Sequence, residues 1–135
     1  MTRTDAREVL MQAVFQMEIQ KNTDTELFEQ FLSSKKVSAD QEGYIKTSFE
    51  LIVNHLEDID ELINKFSKGW KTNRLPKVDL AILRVGIGEL LYVEETPAPV
   101  AINEAVKLAK RFSEEKSRKF INGILGSVER SLNEK

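Results

Sequence analysis

The chain has 135 residues, a formal net charge of −2 and no cysteine. This length fits one domain with one hydrophobic core, and the lack of cysteine excludes a disulfide framework, a thiol nucleophile and a zinc–thiolate site. The sequence has no apolar run of the about 20 residues that span a bilayer and no signal peptide at its N-terminus, so we expect a cytoplasmic protein without a membrane partner. Because the overall charge is acidic, a polyanionic partner would have to bind a local basic patch.

The first third of the chain predicts three amphipathic helices, because apolar residues recur at intervals of three and four. The first helix is expected over residues 4–20. Thr23 or Asp24 is expected to cap the second helix. Ser38 with Gln41 resembles a capping box for the third.

A longer apolar series continues from Ile45 to Phe66 in alternating steps of four and three. This pattern permits one long helix. However, Asn54 followed by Glu57 is a further capping signature, and we expect a break or kink near residues 54–58.

The longest loop candidate is "SKGWKTNRLPKVD", with Gly69 and Pro76 as the residues that interrupt regular structure. The helix that follows is apolar on nearly every side. Such a helix is typical of the centre of a fold, so Leu83, Ile87 and Leu90 are expected in the core.

The C-terminal part of the chain predicts two more helices. Pro97 and Pro99 end the central segment and begin the first of them. Its expected core residues are Ile102, Ala105, Val106, Ala109 and Phe112, and those of the last helix are Ile121, Ile124, Leu125 and Val128. No segment alternates as a strand would. The sequence therefore predicts an all-α fold of about seven helices in a single domain, residues 1–135.

Residues suited to catalysis are scarce. His55 is the single histidine and has no cysteine or second histidine to act with, so it is expected to be a surface residue. Metal binding is not expected, because the usual nitrogen and sulfur ligands are nearly absent. The segment "VGIG" lacks the Lys-Ser/Thr of a phosphate loop and lies within a predicted helix. We interpret the chain as a binding module, not an enzyme, with no metal or cofactor.

Three segments resemble the NusB family of bacterial transcription antitermination factors. They are "WKTNRLPKVDLAILRVGIGEL", "PAPVAINEAVKLAKRF" and "SRKFINGILGSV", and the opening "AREVLMQAVFQME" is similar to the family's first helix. The resemblance covers nearly the whole chain. It implies an all-helical fold of two packed helical bundles.

The resemblance also implies a function. NusB proteins pair with NusE, a small-subunit ribosomal protein, and the pair binds the single-stranded boxA element of nascent RNA. The pair then helps to assemble an antitermination complex on RNA polymerase, notably in ribosomal RNA operons.

The sequence departs from the family pattern in two places. The family often begins with an arginine-rich run, whereas "TRTDARE" has Thr4 and Asp5 within it and therefore less positive charge. The family also often has an aromatic residue before the Glu-Leu of the central helix, where this chain has Gly88. If that aromatic residue contacts NusE in relatives, Tyr92 is the candidate to replace it here.

A basic and aromatic surface is the predicted RNA site. Lys107, Lys110 and Arg111 would continue the charge begun by Arg3 and Arg7, with phosphates giving affinity and stacking giving preference. The simpler alternatives are a solvated helix in which Glu104 pairs with Lys107, and helix-packing roles for the aromatic residues. The residues expected to contact RNA are Arg3, Arg7, Phe15, Lys107, Lys110, Arg111, Lys116 and Phe120.

An acidic stretch at the end of the central helix, "GELLYVEE", is the predicted NusE site. Acidic groups with one aromatic repel phosphate and suit a basic ribosomal protein. The expected contacts are Glu89, Tyr92, Glu94 and Glu95. The alternative is a solvated helix end whose tyrosine covers the core.

Two other functions stay open from the sequence. A similar helical domain is fused to some RNA methyltransferases, although this chain has no Gly-rich cofactor loop. A purely protein-binding helical adaptor is the second alternative, and self-association into a homodimer is also open.

Overall fold

The computed structural model describes residues 1–68 and 71–134. These residues form seven α-helices and one short 3-10 helix, joined by short connections. The α-helices are α1 (Arg3–Gln20), α2 (Thr25–Ser33), α3 (Ala39–Asn54), α4 (Leu56–Phe66), α5 (Lys77–Tyr92), α6 (Ala98–Phe112) and α7 (Glu115–Asn133), and the 3-10 helix is Thr72–Arg74. The prediction of an all-α fold is confirmed. Within the predicted loop, Gly69 and Trp70 lie outside the described residues.

Helix α5 lies at the centre of the fold. It packs against α1, α3, α4, α6 and α7, so that one core includes residues of all these helices. Every residue from 81 to 89 is buried. Leu83 and Ile87 are fully inaccessible and Leu90 is half-buried against the core, as the apolar pattern predicts. No helix in the described ranges is long and apolar enough to cross a membrane.

The helix ends follow the capping signals in most places. Thr2 and Asp5 form a reciprocal capping box on α1, and Asp24 caps α2. The long apolar series breaks at His55, inside the predicted interval. The capping box predicted for α3 is wrong in detail, because Ser38 makes no side-chain cap bond and Gln41 instead accepts a hydrogen bond from Arg3 Nε at 2.7 Å.

Two glycines of α5 permit close helix packing. A Cβ at Gly86 would lie 2.9 Å from a Leu125 methyl carbon, and one at Gly88 would lie 2.8 Å from Ile52 Cγ1. Helices α7 and α3 therefore approach α5 where it has no side chains.

A buried arginine, Arg84, ties α5 to α1 and α4. Its guanidinium donates to Asp60 Oδ1 and Oδ2 at 3.0 and 2.8 Å and to Glu18 Oε1 at 2.8 Å. Burial opposes the ionisation of Glu18, but hydrogen bonds from Lys21 and Arg84 outweigh it and lower the pKa of this carboxyl to about 2. These ion pairs fix the end of α1 and helix α4 against the middle of α5.

Candidate nucleic-acid interface

Arg7 is an interior residue of the bundle, and its predicted place on the RNA surface is wrong. Its side chain is 5% exposed. Nε and Nη2 donate to the two carboxylate oxygens of Glu89 at 2.6 and 3.0 Å, and Nη1 donates to Glu104 Oε1 at 3.0 Å. Three of its five N–H donors are bonded to carboxylates and the side chain is buried, so Arg7 is poorly placed to reach a phosphate.

Glu89 is likewise buried, which corrects its predicted role in binding NusE. It is 3% exposed and also accepts a hydrogen bond from the Tyr44 hydroxyl at 2.7 Å. Burial and the negative charge of Glu89 raise the pKa of Tyr44, so this hydroxyl stays a donor. The cluster of Arg7, Tyr44, Glu89 and Glu104 joins α1, α3, α5 and α6.

Arg3 is exposed at the edge of this cluster. Its guanidinium carbon lies 3.9 Å from the centre of the Tyr44 ring, a cation–π contact that accompanies the bond to Gln41. Arg3 therefore remains available to an outside partner, unlike Arg7.

The cations of α6 differ in how they are paired. Lys107 donates to Glu104 Oε2 at 2.9 Å, which is the pairing that the simpler alternative predicted, and Arg111 pairs with Glu8 of α1. Burial disfavours the ionised form of Glu104, but bonds from Thr4 and Lys107 and the charge of Arg7 hold its pKa below the usual range. Lys110 has no carboxylate within salt-bridge distance among the described residues.

The first turns of α7 carry three more cations that no carboxylate neutralises within residues 1–68 and 71–134. They are Lys116, Arg118 and Lys119. The turn before them is held to α5 by the buried carboxylate of Asp79, which accepts hydrogen bonds from Ser113 and from Ser117, the latter at 2.6 Å. This contact places the basic start of α7 beside the basic end of α6. The sequence reasoning missed Arg118 and Lys119, although their charge and spacing were visible.

The two aromatic candidates for RNA binding are less exposed than predicted, whereas one predicted core residue is exposed. Phe15 and Phe120 are half-buried and pack against the core, so each shows only part of its ring. Phe112 was predicted to be buried and is 37% exposed, because it is the last residue of α6 and lies where the helix ends. The Arg111 guanidinium lies 5.3 Å from its ring centre.

A separate groove of about 400 Å³ runs between α3 and the end of α5. Arg3 and Tyr44 line one part of it, and Tyr92 and Glu95 line another. Tyr92 stacks on His55, with ring centres 3.9 Å apart. Sequence reasoning assigned His55 no role, because the contact joins residues 37 positions apart. Glu94 and Glu95 are exposed beside this groove.

Comparison with known proteins assigns the chain to a family. A family model described as the NusB family matches residues 4–130. The transcription antitermination protein NusB of Acetivibrio thermocellus is 45% identical over 128 residues, which are 95% of this chain and 88% of that protein. NusB of Natranaerobius thermophilus is 44% identical, with 98% of each chain covered.

The chain belongs to the NusB family. It is a transcription antitermination protein of this non-enzymatic, RNA-binding family, and the prediction that it is not an enzyme is confirmed by the assignment.

Solved NusB structures have the same fold. The T. maritima NusB structure gives a TM-score of 0.86 at 32% identity, over 96% of this chain and 92% of that one. The crystal structure of antitermination factors NusB and NusE in complex with dsRNA gives 0.86 at 27% identity, with 96% of each chain covered. Gly88, where the sequence departs from the family pattern, is closely packed in this chain, since an aromatic side chain at this position would collide with Ile52.

Proposed function

We propose that this NusB protein works in the cytoplasm, where it binds boxA-type single-stranded RNA together with NusE and helps to assemble an antitermination complex on RNA polymerase, notably in ribosomal RNA operons. The observation that carries the RNA half of this proposal is a cluster of unneutralised cations. Lys110 of α6 and Lys116, Arg118 and Lys119 of α7 have no carboxylate partner in the described chain.

Charge pairing supports this assignment, because the protein as a whole is acidic. Arg7, Arg84 and Lys107 are paired with carboxylates, whereas some exposed cations elsewhere, such as Lys35 and Lys36, also lack a carboxylate partner in the described chain. The α6–α7 end differs from those because its unpaired cations come from two helices and lie near the exposed ring of Phe112. Where cations are left together without partners, a polyanion gains most from binding, since each phosphate contact releases condensed counterions. We therefore centre the RNA surface on the α6–α7 end, with Arg3, Lys107 and Arg111 at its border.

Aromatic rings at this end supply a second element of RNA recognition. Phe112 is exposed beside Arg111, and Phe120 shows part of its ring next to Lys116. A base of a single strand can stack on such a ring, while the adjacent cation holds its phosphate. Phe15 fits the same role from α1.

The groove between α3 and α5 is the proposed NusE site. It combines Tyr92, which His55 holds in place, with the exposed charges of Glu94 and Glu95. An acidic, aromatic surface complements a basic ribosomal protein and repels RNA. The groove is at the C-terminal end of α5 and the basic cluster is at the junction of α6 and α7, with Arg3 as the one residue assigned to both, and in this proposal NusE and RNA bind at the same time.

The test is a titration of labelled boxA-type RNA against the protein, with and without NusE. We expect binding that weakens as salt rises and that strengthens when NusE is added. RNA affinity that is absent in both conditions would contradict the proposal, as would affinity that does not depend on salt.

A further inference from the structure

The exposed groove between α6 and α7 has two asparagines facing it. The groove has a volume of about 380 Å³, and Asn103 of α6 and Asn122 of α7 line it together with Val106, Glu115, Arg118 and Lys119. Both asparagines are exposed. Neither side-chain amide makes a hydrogen bond to another residue of the described chain.

These asparagines do not stabilise the helices that contain them. Asparagine is among the poorer residues for a helix interior, because its amide competes for backbone hydrogen bonds. Both residues lie well inside their helices and cap neither end. Their donors and acceptors are directed to the groove without a partner, so the structure gives no internal reason for them.

Gly123, next to Asn122, is also unexplained by packing. A Cβ at this position would meet no atom within 4 Å, whereas Gly86 and Gly88 face crowded neighbours. Glycine in a helix interior is less favourable than alanine. A position that is open and yet has no side chain suits the close approach of a ligand to the backbone.

We propose that Asn103 and Asn122 read a base of the bound single-stranded RNA in this groove, and that the strand crosses α7 over Gly123. The inference rests on the proposed function and names its specificity-determining residues. Arg118 and Lys119 hold phosphates on the groove side. Gly123 lies three positions from Phe120 and four from Lys119, so all three share the exposed face of α7.

The chemistry of the groove favours a base over a protein segment. A carboxamide presents one donor and one acceptor side by side, which matches the edge of an exposed base. The groove also holds one carboxylate, Glu115, but neither Arg118 nor Lys119 pairs with it at salt-bridge distance, so two cations remain for phosphate beside the place for the base. A partner protein bound here is the alternative that the experiment must separate.

The experiment measures the affinity for boxA-type RNA and for a scrambled RNA of equal composition, in the presence of NusE. In Asn103→Ala and Asn122→Ala, the preference for boxA-type RNA should fall about tenfold, as loss of a two-point base contact does. The salt dependence should not change, because asparagine carries no charge. Both variants should melt at or above the wild-type temperature, since alanine favours a helix.

Gly123→Leu provides a second, opposite readout. It should weaken binding to both RNAs by blocking the strand, while its melting temperature rises because leucine is a better helix former than glycine. Gly43→Leu in α3 is the matched control, since Gly43 also has no atom within 4 Å of a built Cβ. Because Gly43 lines the groove proposed for NusE, Gly123→Leu and Gly43→Leu are both compared without NusE, where the control should gain stability and keep its RNA affinity.

An unchanged RNA preference in both asparagine variants would overturn the inference. So would a Gly123→Leu variant that binds both RNAs like the wild type, or one whose weaker binding accompanies a lower melting temperature. Loss of NusE capture with RNA preference intact would assign the groove to a protein. If both asparagine variants keep the RNA preference while Lys110→Glu abolishes RNA binding in the same assay, the base-reading role fails and the proposed function stands. A wild-type protein that binds no RNA refutes both.

Discussion

Arg7 and Glu89 form a two-point ion pair in the interior of the helical bundle, with N···O distances of 2.6 and 3.0 Å. The pair joins α1 to α5, and Glu104 and Tyr44 complete its hydrogen bonds. Two residues that the sequence assigned to two different outer surfaces therefore contact each other instead. Their role is to fix the helices that carry those surfaces.

Removing one member of this pair should destabilise the fold. Arg7→Ala leaves Glu89 and Glu104 buried without their counter-charge, and we expect the free energy of unfolding to fall by about 3–5 kcal/mol. Denaturant unfolding followed by circular dichroism measures this. Lys110→Ala is the control and should change stability little, because Lys110 is exposed and unpaired in the described chain. An Arg7→Ala protein of wild-type stability that has lost RNA affinity would restore Arg7 to the RNA surface.

Glu18 should make the protein sensitive to acid. Its pKa is about 2 in the folded protein against an ordinary value of 4.5. The ionised carboxylate therefore stabilises the fold above about pH 4.5, and this stabilisation is lost as the pH falls from 4.5 to 2. Unfolding curves across this interval should show a smaller pH dependence for Glu18→Gln than for the wild type. Equal slopes for the two proteins would show that the Arg84–Glu18 contact does not matter to stability.

Gly88 is expected to be required by the approach of α3. Gly88→Ala gains about 1 kcal/mol of helix propensity, but overpacking against Ile52 costs about 1–3 kcal/mol, so the net effect is a loss of about 1 kcal/mol. Thermal unfolding detects a change of this size. Gly43→Ala, at an open site, should instead stabilise the protein. Equal stabilisation by both substitutions would mean that α3 does not pack closely at this position.

The architecture could be predicted where apolar periodicity decides it. Helix α5 is apolar on nearly all sides and is buried, and the break at His55 falls within the predicted interval of residues 54–58, although no side chain caps α4 there. Phe112 followed the apolar spacing of α6 and yet is exposed, because periodicity does not show where the neighbouring helices end.

The site was harder to predict, because pairing between distant charges has no local pattern. Arg7 and Glu89 are 82 positions apart, and each belongs to a helix with charges on its surface. One signal was present, since Arg7 is four and seven positions before Met11 and Val14, both of which are buried. In contrast, the basic end of α6 was predicted from Lys107, Lys110 and Arg111 together with the family resemblance, and Lys110 is found there without a carboxylate partner in the described ranges.

The acidic groove should bind NusE without affecting RNA bound on its own. Tyr92→Ala combined with Glu95→Lys removes the aromatic surface and reverses one charge, so NusE capture in a pull-down should weaken. Glu89 is left intact, because its substitution would disturb the core. RNA affinity measured without NusE should stay the same or rise slightly. Lower RNA affinity with unchanged NusE capture would mean that the two surfaces are assigned the wrong way round.

The salt dependence of RNA affinity tests most directly the central claim, that the unpaired cations of α6 and α7 bind RNA. For a single strand, each phosphate contact adds about 0.7 to the slope of log affinity against log salt concentration. Lys110→Ala with Lys119→Ala should therefore reduce the slope by about 1.4, whereas Lys35→Ala with Lys36→Ala, which removes two exposed lysines between α2 and α3, should leave it unchanged. Equal slopes in the wild type and both double variants would contradict the account.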